Sequence, residues 1–351
     1  MNNKFLVGNI LREVKNGRLN CNNATNETMK DRNDNSTYVK KIRKGRQVFP
    51  YASAQWQKKN LKNFVKTQGH DISSVTALSS KEAVSEGHPF KNYDEDVLGF
   101  MIARALTIDE DEFNQLEEQK QKLWSKKGKK YTKNITKKRR SNLMLSTLQS
   151  VGHTRLTNEF CVRKTDQTPL LYAKEVYSTD MSSSFILDMN KVGKFTASAN
   201  ETGYRDYSEQ EADIYEFADN EIILDKNIRL KRIKDTIKGL QLMTTRTTMT
   251  NNLEDLSAKF MIFAEYEIGN SLFNNIFEDS RLKFDYLKQA IEENEDYRLS
   301  KIYIGCRDEY FKQDEQWLID KVKFEFEDDD RFVIGSVGEV IDKYLAIVDV
   351  E

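Results

Sequence analysis

Only three prolines interrupt this 351-residue chain, Pro50, Pro89 and Pro169, and no Gly/Ser-rich or Pro-rich stretch divides it. Linkers carry such compositions, so the sequence predicts one core domain with insertions and not a string of separate beads. Hydrophobic residues make up 38% and charged residues 32%, which gives a modest core under a wide surface. No apolar run approaches the ~20 residues that cross a bilayer, so no membrane partner is expected. Met1-Asn2-Asn3-Lys4-Phe5 runs straight into strand-like sequence and lacks the apolar stretch of a secretory signal. Cys21, Cys161 and Cys306 are widely spaced and odd in number, as expected of free thiols in a reducing cytoplasm. His70, His88 and His153 fall at no ligand spacing with them, so neither metal nor cofactor is expected.

A formal net charge of −1 argues against a nucleic-acid partner until its distribution is counted. Residues 1–70 carry 15 Lys/Arg against 4 Asp/Glu, and residues 121–150 carry 10 against none. Residues 276–351 carry 11 against 21. Such asymmetry predicts a basic face for phosphates and an acidic face turned elsewhere, which could serve as docking surface for the basic face of a second copy.

The hydrophobic pattern predicts a first strand over Phe5–Leu11, then an Asn-rich polar loop from Asn16 to Ser36. Two short strands, 38–42 and 46–51, flank a Lys44-Gly45 turn. Ser53 then caps a helix through Val65, with Trp56, Leu61, Phe64 and Val65 inward and Lys58, Lys59, Lys62 and Lys66 outward. Residues 96–102 have strand length, with Gly99 where a backbone approaches closely. Residues 109–140 are expected to be a largely helical insertion, and 142–148 a strand. An excursion at 152–168 suggests an extended hairpin with 170–177. Further strands are expected at 184–189, 256–263 and 301–304, and helices at 225–242, 282–293 and 337–348. This order suits an α+β, ferredoxin-like or RRM-like domain with insertions.

Catalytic signatures are missing from the chain. It has no Walker lysine loop, dinucleotide glycine fingerprint, nucleophile elbow or HExxH helix. Asp31 and Asp34 in the polar loop could orient water or a metal for RNA cleavage, but aspartates in such loops usually form turns. Asp94, Asp96 and the run Asp328-Asp329-Asp330 are expected to be strand-entry and surface charges. The expectation is a protein without enzymatic activity.

The most informative stretch runs from Lys40 to Leu61, KKIRKGRQVFPYASAQWQKKNL. A basic hairpin leads into a helix whose first turn offers backbone N–H groups, Ser53 and Gln55, with Lys58 and Lys59 following. Helix starts bind phosphate, and flanking cations track a backbone without reading bases. This segment resembles the Cas-seven family, the repeated backbone subunit of type I CRISPR surveillance complexes (Cascade). Four further segments match in order: Gly17-Arg18-Leu19-Asn20; Asp94 to Met101; Arg139-Arg140-Ser141-Asn142-Leu143 with Leu145-Ser146; and Ala173-Lys174-Glu175-Val176-Tyr177 to Phe185-Ile186-Leu187-Asp188-Met189-Asn190-Lys191-Val192-Gly193. The DevR-like branch of type I-B systems is the most similar subgroup. Departures are Ala52 and Ala54 for serines, Leu98 for Phe, Asn142 for Pro, and Thr244-Thr245-Arg246-Thr247 where the family has Gly-Ala-Lys.

The resemblance, which spans about residues 4–265, implies a right-hand shape: an RRM-like palm, helical fingers inserted over 67–141, and a β-hairpin thumb at 152–168. It implies a non-catalytic subunit that binds CRISPR guide RNA (crRNA) along a helical filament of its own copies in antiviral defence. The implied partners are the target DNA strand, the cap subunit, the large subunit and the guide-processing nuclease. Phosphate contacts would come from Lys41, Arg43, Lys44, Arg46, Ser53, Gln55, Lys58 and Lys59, with Arg246 in the family's cationic position. Phe160 and Val162 would be the thumb's apolar wedge, flanked by Arg163 and Lys164, and Met101 would lie near a base. Two alternatives are a type III-like subunit that cleaves RNA with Asp31 or Asp34, and an RRM-type regulator that does not polymerise.

Overall fold

The computed structural model describes residues 3–23, 37–77, 83–102, 105–116, 121, 124–134, 137–164, 166, 168–196, 206–207, 221–245, 253–311, 313–326 and 328–350. They fall into two compact units. Unit 1 comprises Met1–Gln68, Leu143–Asn190 and Ile233–Glu351; unit 2 comprises Gly69–Asn142 and Lys191–Arg232.

Unit 1 is built on a twelve-stranded sheet. Its strands are β1 (Phe5–Gly17), β2 (Cys21–Asn23), β3 (Thr37–Val39), β4 (Lys41–Lys44), β5 (Gln47–Ala52), β6 (Leu143–Leu145), β7 (Leu148–Ser150), β8 (Thr157–Arg163), β9 (Leu170–Asp188), β10 (Phe260–Tyr266), β11 (Ile302–Cys306) and β12 (Phe332–Gly335). The main path runs β12-β11-β10-β1-β9-β7-β5-β4, with β6, β8 and β3 also on β9 and β2 on β3. The sheet is mixed: β11–β12 and the single Thr37–Lys174 pairing of β3 with β9 are parallel, and the other pairs are antiparallel. The fold is therefore mixed α/β around one large sheet. Among the described residues, no helix is long and apolar enough to cross a membrane.

Both faces of the central strands are covered, which explains why β10 is buried along its whole length. One face carries Val7, Leu11, Phe260, Ile262, Ile302 and Ile304 against helices α2 (Phe284–Glu292) and α3 (Gln313–Phe326). On the other, Phe263 and Tyr303 stack and meet the edge of Tyr344 from helix α4 (Val337–Ile347). Arg12 is fully buried and donates to the carbonyls of Leu240 and Leu256. Burial pulls its pKa down to about 9, although Asp255 acts in the opposite direction.

Predicted strands 170–177 and 184–189 are one strand, the 19-residue β9. Its Tyr177–Asp188 part pairs with β1 on one side and with β6 and β7 on the other; its Leu170–Val176 part pairs with β8 as a hairpin. The predicted strand 142–148 is broken into β6 and β7. Ser146 lies at the break, its N–H donating to the Ser184 carbonyl and its hydroxyl accepting from the Ser184 N–H. Helix α3 and strand β12 had no counterpart in the sequence reading.

Unit 2 departs further from expectation. The region 109–140 was expected to be largely helical, yet its described residues include the short helix Glu110–Asn114 and three strands, Ser125–Lys127, Lys130–Asn134 and Lys137–Arg139. On a helix, lysines at 126, 129, 130, 133 and 137 would repel at i,i+3 and i,i+4 spacing; strands with a turn at Gly128 (φ +66°) spread them. Residues 96–102 are not one strand either. Asp94, Glu95 and Asp96 lie in the helix Tyr93–Val97, where the N-terminal dipole favours acids, and the strand begins only at Phe100. Gly99 (φ +76°) joins the two; a Cβ there would meet the Arg139 carbonyl and the Ser141 N–H at 2.7 Å. The expected close approach is real.

Asp94 and Asp96 are not surface charges. They are 2% and 0% exposed. Asp96 accepts from Arg139 and Arg232, both at 2.6 Å, and from the Gly193 N–H at 2.9 Å. Arg139 also reaches Asp206 at 2.7 Å and lies over the Phe195 ring. Asp94 accepts from the Ser73 hydroxyl and N–H. Two cations and an oriented N–H group offset the cost of burying the Asp96 carboxylate.

Candidate nucleic-acid interface

Residues 40–70 contain nine Lys/Arg and no Asp/Glu. Strands β4 and β5 form a hairpin turning at Gly45 (φ +60°), with Lys41 opposite Pro50 and Lys44 opposite Gln47. Arg43, Lys44 and Arg46 are exposed at its tip, and Lys44 lies 5.2 Å from the Phe49 ring centre. Lys41 differs from its neighbours. It is partly covered and paired at 2.5 Å with Glu175, which also accepts from the Val39 N–H at 3.0 Å.

Helix α1 (Ala54–Thr67) starts where β5 ends. Ser53 caps it: its hydroxyl oxygen accepts from the Trp56 N–H at 3.2 Å and from the Asn20 amide at 3.0 Å. The Ser53 carbonyl takes the Gln57 N–H, so among the described residues the free donors of the first turn are those of Ala54 and Gln55. Gln55 and Lys59 are exposed and Lys58 is half-buried; burial, then the nearby Lys62, lowers the Lys58 pKa. Leu61 and Val65 are fully buried, and Trp56 and Phe64 are half-buried. Gln57 and Asn60 are buried too, Gln57 donating to the Ser146 carbonyl at 2.8 Å. Those two polar anchors have no signature in a hydrophobic pattern.

The predicted thumb is a β-hairpin, but it extends beyond 152–168. Strand β8 pairs with β9 from Thr157–Val176 to Arg163–Leu170. Phe160 is 83% exposed and Val162 59%. Leu171 lies opposite Val162 and is 68% exposed, so the apolar face continues onto the returning strand. The alternation of Leu171 and Ala173 was the available signal for it. Arg163 and Lys164 are exposed near the tip.

The root of the β8–β9 hairpin meets the basic hairpin on β5, at Val48, one residue pair below the turn-closing Lys44–Gln47 pair. The Val48 N–H donates to His153 Nδ1 at 2.9 Å, and the Thr154 N–H donates to the Val48 carbonyl at 2.9 Å. Glu175 ties β9 to β3 and β4 from the other side. Below them, Val14, Leu19, Val39, Ala52, Leu148, Tyr177, Met181 and Leu256 form a buried cluster that also receives Trp56. An acid-free basic hairpin, a capped helix start and a protruding apolar hairpin thus share one rigid base. Chemically, this offers charge for phosphates and an apolar edge for a base.

Met101 belongs to unit 2. It is 67% exposed, on a short strand opposite Lys138. Arg246, Asp31 and Asp34 lie outside the described residues. No group of three His, Cys, Asp or Glu that could hold a metal ion occurs among the described residues.

No family model matches the chain, and no curated protein matches it in sequence. Solved structures do share its fold. A chain of a CRISPR RNA-guided surveillance complex aligns with 97% of this chain and 98% of its own length, with a TM-score of 0.51 and 8% identity. A chain of a second CRISPR RNA-guided surveillance complex, pre-nicking, aligns with 97% of this chain and 99% of its own length, with a TM-score of 0.54 and 7% identity. The fold of this chain, over nearly its whole length, is similar to that of surveillance-complex chains.

Proposed function

We propose that this chain is a non-catalytic backbone subunit of a type I, Cascade-like complex, of the type I-B kind, which binds crRNA and repeats along it. In this reading the sheet of unit 1 is an RRM-like palm and the β8–β9 hairpin is the thumb. Arg43, Lys44, Arg46, Lys58, Lys59 and the Ser53–Gln55 helix start hold phosphates, while Phe160, Val162 and Leu171 wedge against a base. Sequence would be read by base pairing of the guide with a target DNA strand, and the protein would read shape and charge. The other subunits of such a complex are its natural partners.

The observation that carries this reading is the acid-free basic hairpin hydrogen-bonded through Val48 to the root of a hairpin with an exposed apolar face. The fold shared with surveillance-complex chains supports it. Mass photometry of the chain with RNAs of increasing length tests it: bound mass should rise in steps of one chain. A single copy on every RNA length would overturn the filament. Complementary RNA and divalent metal added to the assembled complex should leave both RNAs intact. Cuts at regular intervals that vanish on Asp31→Ala or Asp34→Ala would show an enzyme instead.

A further inference from the structure

The twelve-stranded sheet of unit 1 ends at β12, whose strand neighbour among the described residues is β11. The pair is parallel, and the Ile302 N–H donates to the Arg331 carbonyl. Along such a ladder the N–H and C=O of one residue turn to the same side, and those of the next residue to the other. The backbone groups of Val333 therefore face β11, while those of Ile334 and the Phe332 carbonyl face away from the sheet. The Phe332 N–H is taken by the Asp329 carbonyl at 3.0 Å. No backbone partner for Ile334 occurs among the described residues. An open edge of this kind is a template for another extended chain.

The surroundings of the edge select the chain that fits it. Strand β12, Phe332-Val333-Ile334-Gly335, carries none of the lysines, prolines or bulges that blunt edge strands. Its guard is acidic. Asp328 and Asp330 stand just before it, are exposed, and have no ion pair among the described residues. A second β12 edge would bring its own aspartates and be repelled, and so would the phosphates of a nucleic acid.

Phe332 and Ile334 lie on the sheet face packed against α2 and α3. There the Phe326 and Phe332 rings stack, 4.0 Å apart, at the floor of a cleft of about 190 Å³ that Glu292, Glu325 and Asp329 also line. Glu325 is paired with Lys288 and Asp329 with Arg331, both at 2.6 Å. Glu292 is exposed and has no ion pair among the described residues. An apolar floor with carboxylates above it suits a long cationic side chain, its methylenes on the rings and its head at the acids.

We propose that the β12 edge and this cleft are a docking site for an extended basic peptide segment of a second protein. The segment adds a strand to the sheet through Ile334 and places a lysine or arginine in the cleft. The site shares no residue with the proposed RNA surface and does not depend on that reading.

Fluorescence anisotropy on the full chain tests it, with a short labelled peptide of alternating valine and lysine. Two further peptides serve as controls, one N-methylated at every backbone nitrogen and one with glutamate in place of lysine. The chain should bind the lysine peptide saturably and the N-methylated one about tenfold more weakly, because the peptide then has no N–H to donate. Ile334→Pro removes an outward N–H and leaves the β11 pairing in place, and it should also cost about tenfold. Asp328→Asn/Asp330→Asn should cost about fivefold at low salt and flatten the salt dependence. No saturable binding of the lysine peptide would overturn the proposal. Equal affinity for the N-methylated peptide, or unchanged binding by Ile334→Pro, would do the same by removing the strand pairing. Glutamate peptide bound as tightly as lysine peptide would overturn the cationic partner. A dimer of the chain alone, seen in sedimentation and dissolved by Ile334→Pro, would assign the edge to a second copy instead. If Ile334→Pro does not fold, the N-methylated peptide on the parent chain decides.

Discussion

Lys41 and Arg43 stand two residues apart on β4 and meet different surroundings. Arg43 faces solvent, while Lys41 is matched by Glu175 at 2.5 Å. Under the proposed function, Arg43→Ala should weaken RNA binding and lower its salt slope by about 1, and Lys41→Ala should do less. Glu175→Gln keeps an acceptor for the Val39 N–H but removes the counter-charge, so RNA affinity should rise about threefold, the scale of a partly exposed ion pair. Titration of labelled RNA against each variant checks both. In unit 2, Asp96→Ala would leave Arg139 and Arg232 buried with one carboxylate fewer. It should cost about 3–5 kcal/mol in urea unfolding. Glu86 is held down to about 2 by the Ser74 hydroxyl, then the Asn92 amide and the Ser74 N–H. Its folded pKa lies below the unfolded one, so its contribution is complete above about pH 4.5 and fades as pH falls toward 2. The stability gap between parent and Glu86→Gln should close over that window. These pairings were illegible in the sequence, because Glu175 lies 134 residues from Lys41 and Arg232 lies 136 from Asp96.

Elements were easier to foresee where local chemistry decides them. Ser53 capping α1, the Gly45 turn, the closing helix α4 and the hairpin around Phe160 all follow from capping, turn and periodicity rules. The failures came where tertiary partners overrode a local pattern, as with the Asp94–Asp96 helix, or where repulsion forbade a helix in the lysine-rich insertion. Helix α3 was lost inside the acidic C-terminal stretch. The candidate site was legible as a list of cations and apolar residues, but the joining of the two hairpins through Val48 and His153 was not. Because Phe160 and Val162 are largely exposed, Phe160→Ala/Val162→Ala should change stability by less than about 0.5 kcal/mol. The same pair of changes should abolish stepwise loading on RNA. Ser53→Ala should cost about 1 kcal/mol of thermal stability through the lost cap.

On the scale of the whole chain, a net charge of −1 averages regions of opposite sign. Retention on immobilised heparin at pH 7 should therefore be strong despite the near-neutral total, and should weaken for Arg43→Ala/Arg46→Ala. Elution with salt alone, and no retention above about 1 M, would fit exposed charges screened over a few ångströms.

Strand β9 has a mechanical consequence. Its Tyr177–Asp188 part is laced into the sheet on both sides, and its Leu170–Val176 part, about 23 Å of chain, pairs with β8 alone as a hairpin. A pull along that strand loads many backbone hydrogen bonds at once, in shear, and no hinge separates the projecting part from the anchored one. The hairpin therefore behaves as a post set in a foundation: under the proposed function it would keep a wedged base apart under load, and any swing of its tip must carry the central sheet with it.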